Sequence, residues 1–440
     1  MSVRPEDTRY PAGKAFAWGL QHVLTMYGGI IAPPLIIGSA AGLSASELGI
    51  LVTAALFVSG CATLLQALGM PGFGSRLPLV QGVSFAGVAT MVTLVTSGGG
   101  LPVVFGAVMA SSLLGLLIAP LFAHILRFFP PVVTGTVIAV IGLSLMPVAA
   151  RWAMGGNPHA AGWGSTDNIG LAAVTLVMVL LLNRLGSAAV KRLAVLLAMA
   201  CGTGVALCTG QANFAGVAQG DWLALPGVMT FGMPVFDVAA IVSMTLIVLV
   251  LLTETTAGLI AIGDIVGTEV DGKRIARGLR ADMLTSALAP LFNSFPQSAF
   301  AQNIGLVAMT GVKSRFVVAA GGVILVMLGF LPVLGRVVAA IPLPVLGGAG
   351  VVLFGTVAAS GIRTLAKVDY KDNMNLVIVA TSIAFGMIPI VMPTFYDQFP
   401  GWVRTLFHSG ISATCLVSVM LNLLFNRVSS GRSEKAVARS

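Results

Sequence analysis

The stretch Ser298-Ala299-Phe300-Ala301-Gln302-Asn303-Ile304-Gly305-Leu306-Val307-Ala308-Met309-Thr310-Gly311 is short, apolar and interrupted by two adjacent amides, Gln302 and Asn303. Pro296 lies just before it, so we do not expect a straight helix through this region. Short, interrupted apolar segments with a polar middle are typical of transporter binding sites. The stretch therefore predicts a broken membrane segment with a binding site at the break.

The composition of the chain predicts an integral membrane protein. Of its 440 residues, 57% are hydrophobic and 9% are charged, and the mean hydropathy is +0.99. A soluble globular domain carries about 25% charged residues. The apolar runs are long enough for helices that span a lipid bilayer in roughly 20 residues, and the alternating ten-residue segments of outer-membrane barrels are absent. We therefore expect an all-α integral membrane protein.

The apolar runs predict fourteen membrane segments. Their expected ranges are 15–38, 47–70, 78–97, 101–124, 131–150, 168–184, 190–210, 236–262, 279–296, 298–312, 315–334, 342–361, 373–393 and 403–426. With the N-terminus inside, only Arg151, Arg336 and Arg404 of the 24 lysines and arginines fall in outer loops. This bias favours an even number of segments with both termini in the cytoplasm.

Charge and cysteine usage exclude several other classes of protein. The net charge of +9 comes from basic residues scattered through short loops, which favours cytoplasmic loops over nucleic-acid binding. Residues 1–14 lack the features of a secretory signal peptide. The four cysteines show no metal-ligand spacing, and the sequence has no phosphate-binding Gly-Lys-Ser/Thr loop. We therefore predict no metal, no cofactor and no ATP-driven step.

A proline pattern suggests an internal repeat. Two prolines ten residues apart, with a glycine five residues further on, occur at 120–135 and again at 332–347. Chance is the alternative in a chain with 22 prolines and 53 glycines. A real repeat gives two seven-segment copies, 15–210 and 236–426, and an odd number of segments inverts the second copy. The other parts are then a cytoplasmic N-terminal tail (1–14), an extracytoplasmic connecting loop (211–235) and a cytoplasmic C-terminal tail (427–440).

Segments three and ten are the irregular ones, and the repeat makes them partners. Segment three contains residues 78–87, where Gln81, Ser84 and Phe85 repeat the mixture of amide, small and aromatic residues found at 298–311. The site is therefore expected where these two stretches meet.

Ionisable residues inside membrane segments are functional candidates, because burying them costs free energy. We interpret Glu254, which lies mid-segment, as a substrate or proton ligand; the alternative is a neutral acid bonded between helices. Asp282 is either functional or a helix N-terminal charge paired with a loop arginine. His22 is either functional or an ordinary interhelical contact. His124 and His408 lie nearer segment ends and are weaker candidates.

Gln302 and Asn303 point in different directions, because adjacent side chains diverge by about 100° on a helix and about 180° on a strand. An amide offers donors and acceptors, and so suits a substrate with both on one edge. We expect Gln302 to contact the substrate and Asn303 to hold neighbouring backbone, across to segment eight. The alternative is that both amides only join helices.

The pattern Gln302-Asn303-x-Gly305-x-x-x-x-Thr310-Gly311 resembles the signature of the nucleobase–ascorbate transporter family, also called nucleobase:cation symporter-2. Gly311 is a permitted variant of its last position. The other family positions, Gln21-His22, Ser84-Phe85, Glu254 and Asp282, occur in the family's order, so the resemblance covers nearly the whole chain.

The resemblance implies a fold and a set of site residues. The fold has fourteen segments in two inverted repeats, a core and a gate domain, and short antiparallel strands that begin segments three and ten. The implied substrate-binding residues are Glu254, Gln302, Asn303, Phe85 and Ser84. The implied residues for proton coupling or site architecture are Asp282, His22 and Glu254. The resemblance also implies the bacterial cytoplasmic (inner) membrane and a homodimer.

The resemblance favours an oxidised purine as the substrate. Uracil-type relatives carry Glu at the position of Gln302, and residues 300–312 and 348–366 resemble bacterial uric acid permeases. Gly258 stands where xanthine-preferring relatives carry a carboxylate, which favours urate. Anionic urate beside an ionised Glu254 would be unfavourable in low dielectric. We therefore expect alternating-access import by proton symport, with Glu254 or Asp282 taking the proton.

Other functions stay open at this point. They are a xanthine- or uracil-selective permease of the same family, an anion transporter of the sulfate-permease type, and a membrane-embedded enzyme that uses Glu254, Asp282 and His22.

Overall fold

A computed structural model describes residues 4–122, 129–160, 162–215, 217–218, 221–371, 373–400, 403–404, 407 and 409–427. His124, His408 and residues 428–440 of the expected C-terminal tail lie outside the described residues.

The described residues are mostly helical. In chain order the helices are α1 (Ala12–Ala40), α2 (Ala45–Leu68), α3 (Val88–Leu94), α4 (Gly100–Ile118), α5 (Pro131–Ser144), α6 (Met146–Ala153), α7 (Thr166–Leu185), α8 (Ala188–Arg192), α9 (Ala194–Cys208), α10 (Val238–Val266), α11 (Gly272–Leu288), α12 (Ala301–Thr310), α13 (Arg315–Gly329), α14 (Pro332–Ala339), α15 (Leu343–Leu365), α16 (Asn373–Val391) and α17 (Gly410–Asn422). The strands are β1 (Gln81–Val83) and β2 (Gln297–Ala299).

The two strands pair antiparallel, with Gly82 opposite Ser298. Both lie in the stretches that the sequence marks as irregular, and each precedes a short helix, α3 or α12. The backbone N–H of Phe300 donates to the carbonyl of Val80 at 3.0 Å, and that of Ser84 to Pro296 at 2.9 Å. These bonds flank the strand pair and fix its register.

A hydroxyl group on a neighbouring helix makes two hydrogen bonds to the backbone of the first residue of each strand. Thr63 of α2 accepts from the backbone N–H of Gln81 at 3.0 Å and donates to its carbonyl at 3.3 Å. Ser286 of α11 makes the same pair of bonds to Gln297, at 2.8 and 3.3 Å. The outward-facing backbone groups of both glutamines are thereby satisfied inside an apolar bundle.

Helix packing divides the described helices into two bundles. In the first bundle, α13 packs on α1 and α2, and α4 packs on α10 and α11. In the second bundle, α15 packs on α5, α6, α7 and α9, and α16 packs on α5 and α17. The strands and α12 belong to the first bundle, between α1, α2, α10 and α11.

Glycines allow the close approach of α1 and α2 to α13. A Cβ at Gly19 would lie 2.7 Å from the backbone nitrogen of Gly321, and one at Gly60 would lie 2.7 Å from the carbonyl oxygen of Gly322. Small residues at such crossings let helix backbones touch, which is a common way of joining helices in membranes.

Eight helical stretches among the described residues are long and apolar enough to cross a membrane, or nine if α13 and α14 form one span. Those two helices are bent by 80°, whereas the sequence predicts a continuous segment at 315–334. The cause is Pro332, which has no backbone N–H and begins a new helix.

The start of α11 also differs from the expected residue 279. It begins at Gly272, because the Asp271 side chain caps the helix by accepting from the backbone N–H of Arg274.

Residues 5–8, which we call the N-terminal strap, lie across one end of the first bundle. The Glu6 carboxylate accepts from Arg274 at 2.9 Å, and the Asp7 carboxylate accepts from Arg315 at 2.6 Å. The Ser314 hydroxyl donates to the carbonyl of Thr8 at 2.6 Å. The strap therefore joins the starts of α11 and α13.

Candidate functional site

Phe300 positions the helix that carries the two amides. It directly precedes α12, and its ring is buried between Gly29 of α1 and Gly82 of β1. A Cβ at Gly29 would lie 2.7 Å from this ring, and one at Gly82 would overlap it. At its other end α12 stops at Gly311, whose φ of 68° is the left-handed conformation that glycine favours. The final residue of the family signature therefore ends this short helix.

Asn303 is fully buried on α12 and contacts His22 of α1. Its amide nitrogen lies 2.8 Å from Nδ1 of His22 and donates to it when His22 carries its proton on Nε2. Asn303 was expected to hold backbone toward segment eight, and that expectation is wrong. The reason is that α12 lies between α1 and α10, and position 303 faces α1.

Gln302 and Glu254 both have free hydrogen-bonding groups. Gln302 is exposed at the start of α12, Glu254 is half-buried in the middle of α10, and neither side chain bonds another described residue. One turn beyond Glu254, a Cβ at Gly258 would lie 3.2 Å from Cβ of Ala299 and 3.3 Å from Cδ1 of Ile304. Glu254 therefore lies one helical turn from the contact of α10 with β2 and α12.

Asp282 is buried on α11 among neutral partners. Gln66 of α2 donates an amide N–H to one carboxyl oxygen at 3.2 Å, and Thr255 of α10 donates its hydroxyl to the other at 2.6 Å. The alternative of a helix-terminal charge paired with a loop arginine is wrong, because no ion pair reaches Asp282 among the described residues. The early start of α11 places Asp282 well inside the helix, away from its first turn.

Ser84 and Phe85 follow β1 and have different surroundings. The Ser84 hydroxyl is buried and accepts from the backbone N–H of Ala86 at 3.1 Å, so it closes the turn that leads to α3. Phe85 is half-buried, and its ring meets that of Phe354 on α15 edge to face, with centroids 6.1 Å apart. Phe85 therefore lies where the two bundles touch.

The arrangement combines unpaired and paired polar groups at the broken helices. Gln302 and Glu254 have donors and acceptors available to a ligand, while His22, the amide nitrogen of Asn303 and Asp282 are bonded within the protein. The buried amide oxygen of Asn303 has no partner among the described residues. This is the chemistry of a binding site for a small polar molecule, supported by a buried hydrogen-bonded shell.

Comparison with known proteins identifies the family. The sequence profile described as "Permease family" (Xan_ur_permease) matches residues 13–395. The chain belongs to the nucleobase:cation symporter-2 family. Its members are permeases, so this permease is a transporter and not an enzyme.

Two relatives align with almost all of the permease. The uric acid transporter UacT of Escherichia coli K12 is 40% identical over 94% of this chain and 86% of its own length. The xanthine permease of Bacillus subtilis 168 is 38% identical over 96% of this chain and 95% of its own length.

A solved structure shares the fold of the permease. The transmembrane domain of a cyanobacterium bicarbonate transporter, BicA, superposes with a TM-score of 0.62, covering 95% of this chain and 99% of that one. The sequences are only 14% identical, so this likeness concerns the fold alone.

Sequence reasoning missed Gln66 and Thr255, the two partners of Asp282 in the permease. Gln66 is a lone amide inside an apolar segment, a signal that could have singled it out. Thr255 gave no such signal, because threonines commonly bond their own helix backbone, as Thr256 does with the carbonyl of Leu252 at 2.7 Å.

Proposed function

We propose that the permease is a secondary active transporter that imports an oxidised purine, uric acid first and xanthine second, by proton symport. The observation that carries this proposal is the 40% identity to a uric acid transporter over 94% of the chain, together with the unpaired Glu254 and Gln302 beside the broken helices. The following steps assign roles to residues, to the fold and to the proton.

Gln302 and Glu254 bind the purine edge. A Gln302 amide donates to a ring carbonyl and accepts from the neighbouring ring N–H, and the Glu254 carboxylate accepts from ring N–H groups. Phe85 packs against the ring, which fits its half-burial at the contact of the two bundles. The N-terminus of α12 adds backbone N–H groups and a positive dipole end directed at a carbonyl or an anion.

Ser84, Asn303 and His22 shape the site. The Ser84 hydroxyl closes the turn beside Phe85, and the bond between Asn303 and His22 fixes α12 against α1. Because Asn303 and His22 are both buried, their role is to hold α12 in place and so to orient Gln302. They do not bind the purine in place of Gln302.

The proton removes a charge conflict. Urate is largely a monoanion near neutrality, and placing it beside an ionised Glu254 in low dielectric is strongly unfavourable. A co-transported proton on Glu254 or Asp282 neutralises one charge. The neutral partners of Asp282 support this role, because they tolerate both protonation states of the carboxyl.

The fold consists of two inverted seven-segment repeats, fourteen segments in total. The packing supports this, since several helix pairs have counterparts: α1 on α13 corresponds to α10 on α4, and α2 on α13 corresponds to α11 on α4. In the second bundle, α16 on α17 corresponds to α7 on α9. The bonds from the Thr63 hydroxyl to the Gln81 backbone and from the Ser286 hydroxyl to the Gln297 backbone also correspond between the two repeats.

The first bundle is the core and the second is the gate, and transport moves one against the other around the fixed site. Contacts between the bundles are local, which supports this motion. Besides the rings of Phe85 and Phe354, they include the hydroxyls of Thr90 on α3 and Ser409 before α17, 2.6 Å apart. Such contacts can break and form again without unfolding either bundle.

The permease lies in the bacterial cytoplasmic membrane with both termini in the cytoplasm, as the distribution of lysine and arginine supports. The N-terminal strap is then on the cytoplasmic side. A homodimer stays a prediction from the family resemblance.

Urate is the first choice of substrate because of the packing at Gly258. A carboxylate-bearing side chain at this position, expected in xanthine-preferring relatives, would crowd Ala299 and Ile304, since its Cβ would lie 3.2 and 3.3 Å from their side chains. The 38% identity to a xanthine permease keeps xanthine as the second candidate. Uracil and small inorganic anions are the weaker alternatives.

The test is uptake of radiolabelled urate and xanthine in a bacterial strain that lacks its own purine permeases. We expect saturable urate uptake that unlabelled xanthine reduces and that uracil, sulfate and bicarbonate leave unchanged. A protonophore should abolish accumulation, and uptake that persists undiminished in its presence contradicts proton symport. Gln302→Glu should weaken purine recognition, and an unchanged substrate profile in this variant contradicts the role of the amide.

A further inference from the structure

The two strands begin with a glutamine each, and these side chains differ in hydrogen bonding. The amide oxygen of Gln297 accepts from the Ser59 hydroxyl at 3.0 Å, and its nitrogen donates to the carbonyl of Phe295 at 2.8 Å. Gln81 is completely buried, yet neither its amide oxygen nor its nitrogen has a partner among the described residues. An unpaired buried amide costs free energy that a leucine would avoid.

Gln81 lies close to the hydrogen-bond network of Asp282 by two routes. Along α2, Thr63 bonds the Gln81 backbone, and Gln66, one turn further on, bonds Asp282. Across the strand pair, Ala299 lies opposite Gln81 and donates its N–H at 3.4 Å to the Thr255 hydroxyl that bonds Asp282. Both routes lead from the strand to the same carboxyl group.

The hydrogen bonds of Gln297 indicate which group pairs with the Gln81 side chain. Ser59, which bonds the Gln297 side chain, lies four residues before Thr63 of α2, which bonds the Gln81 backbone. Asp282 lies four residues before Ser286 of α11, which bonds the Gln297 backbone. Under the proposed inverted repeat, Asp282 corresponds to Ser59 and Gln81 corresponds to Gln297, so the repeat predicts that Asp282 is the group that pairs with the Gln81 side chain.

We propose that Gln81 is a positioning residue for Asp282, whose carboxyl group it hydrogen-bonds in another step of the transport cycle. This inference rests on the proposed proton symport. In the structure described, Gln66 and Thr255 donate one bond each to Asp282, and a carboxylate has about four acceptor sites. The Gln81 amide can donate to the carboxylate after proton release and accept from the protonated acid before it.

Gln81 matters most for the empty carrier. After the purine and the proton leave, the Asp282 carboxylate must cross back without neutralisation by a ligand, and a third neutral donor stabilises it. The titratable groups in the middle of the elements packed on β1 and α11 are His22, Tyr27, Cys61, Glu254 and Arg280, besides Asp282 itself. Of these, Asp282 is the one whose side chain is hydrogen-bonded to the residues around β1.

The test compares two activities of Gln81→Leu in membrane vesicles: proton-driven net uptake of urate, and exchange of urate across the membrane. Net uptake requires the return of the empty, deprotonated carrier, whereas exchange does not. We expect net uptake to fall about ten-fold, the effect of one hydrogen bond to a charged group, while exchange stays within about two-fold. Gln81→Met, similar in length to glutamine, is expected to behave in the same way.

Gln297→Leu is the matched control, because its amide is already satisfied. This variant should lose net uptake and exchange in parallel, as expected for a structural residue. A parallel loss in both Gln81 variants, including failure of both to fold, overturns the proposal, and so does unchanged net uptake. If wild-type uptake ignores a protonophore, the proposed proton symport itself fails; if wild-type uptake responds and the Gln81 variants match it, only the role of Gln81 is overturned.

Discussion

Carboxyl groups at two levels of the first bundle have different partners. In the N-terminal strap, Glu6 and Asp7 each contact an arginine, at 2.9 and 2.6 Å. In the middle of the bundle, Asp282 accepts hydrogen bonds from neutral side chains only, and Glu254 bonds no described residue. An arginine stays protonated and keeps its partner charged, whereas neutral partners tolerate a change of charge. The strap therefore suits a structural role, and the middle of the bundle suits proton transfer.

Glu254→Gln should cause the largest loss of transport. The substitution keeps the size of the side chain, but it removes the negative charge that strengthens both proposed bonds to ring N–H groups and replaces one acceptor oxygen by a donor. Two hydrogen bonds to a charged group, about 1.5–3 kcal/mol each, correspond to a loss of roughly 100-fold or more. The measurement is the initial rate of radiolabelled urate uptake at equal amounts of protein in the membrane.

The control for this variant is Glu269→Gln, the same change at an exposed site in the loop after α10. Its uptake should stay within about two-fold of wild type, since exposed substitutions away from special features have small effects. Wild-type kinetics in Glu254→Gln would remove this carboxyl from the site.

Asp282→Asn should have the next largest effect, and its effect should depend on the assay. Asparagine keeps an acceptor for one neighbour but cannot take or release a proton. We expect net proton-driven uptake to fall by about ten-fold or more, the scale of one lost charge-assisted bond, while urate exchange is largely retained. Asp264→Asn, at an exposed position near the end of α10, should change neither activity. Equal loss of uptake and exchange in Asp282→Asn would place this residue with the structural carboxylates of the strap.

Local sequence features predicted the membrane class, the family and the two broken segments that contain β1 and β2, but not the bend between α13 and α14. Pro296 before the amide pair and Glu254 inside an apolar run are signals within a single segment, so they need no knowledge of packing. The candidate site residues were also chosen from the sequence without knowledge of packing. Their roles as ligands stay predictions.

Partners far apart in the chain could not be predicted. His22 and Asn303 are 281 residues apart, and Gln66 and Asp282 are 216 apart, yet each pair is in hydrogen-bond contact. These contacts depend on how α1 and α2 pack against α12 and α11, which periodicity along one helix does not determine. Because Gln66 and Thr255 were not recognised as partners of Asp282, the sequence offered an arginine instead, Arg280 being close to Asp282 in the chain. That alternative is wrong.

Arg274→Gln should have the smallest effect on transport but a clear effect on stability. Arg274 contacts the buried Glu6 and also donates to the backbone carbonyls of Ser75 and Arg76, at 2.7 and 3.1 Å. Removing it leaves the buried Glu6 carboxylate without an arginine, with the Thr268 hydroxyl at 3.1 Å as its remaining donor among the described residues, which costs about 3 kcal/mol. We expect a lower melting temperature of the purified protein, with uptake per folded molecule within about two-fold of wild type.

Two further variants separate the charge of the strap from the rest of the helix. Arg277→Gln, exposed on the same helix, should leave the melting temperature unchanged. Glu6→Gln should lower it less than Arg274→Gln, because Arg274 is 14% exposed and keeps its bonds to the carbonyls of Ser75 and Arg76. If Arg274→Gln instead loses net uptake, retains exchange and melts like wild type, an arginine-paired carboxylate also takes part in proton coupling. The different partners at the two levels would then not correspond to different functions.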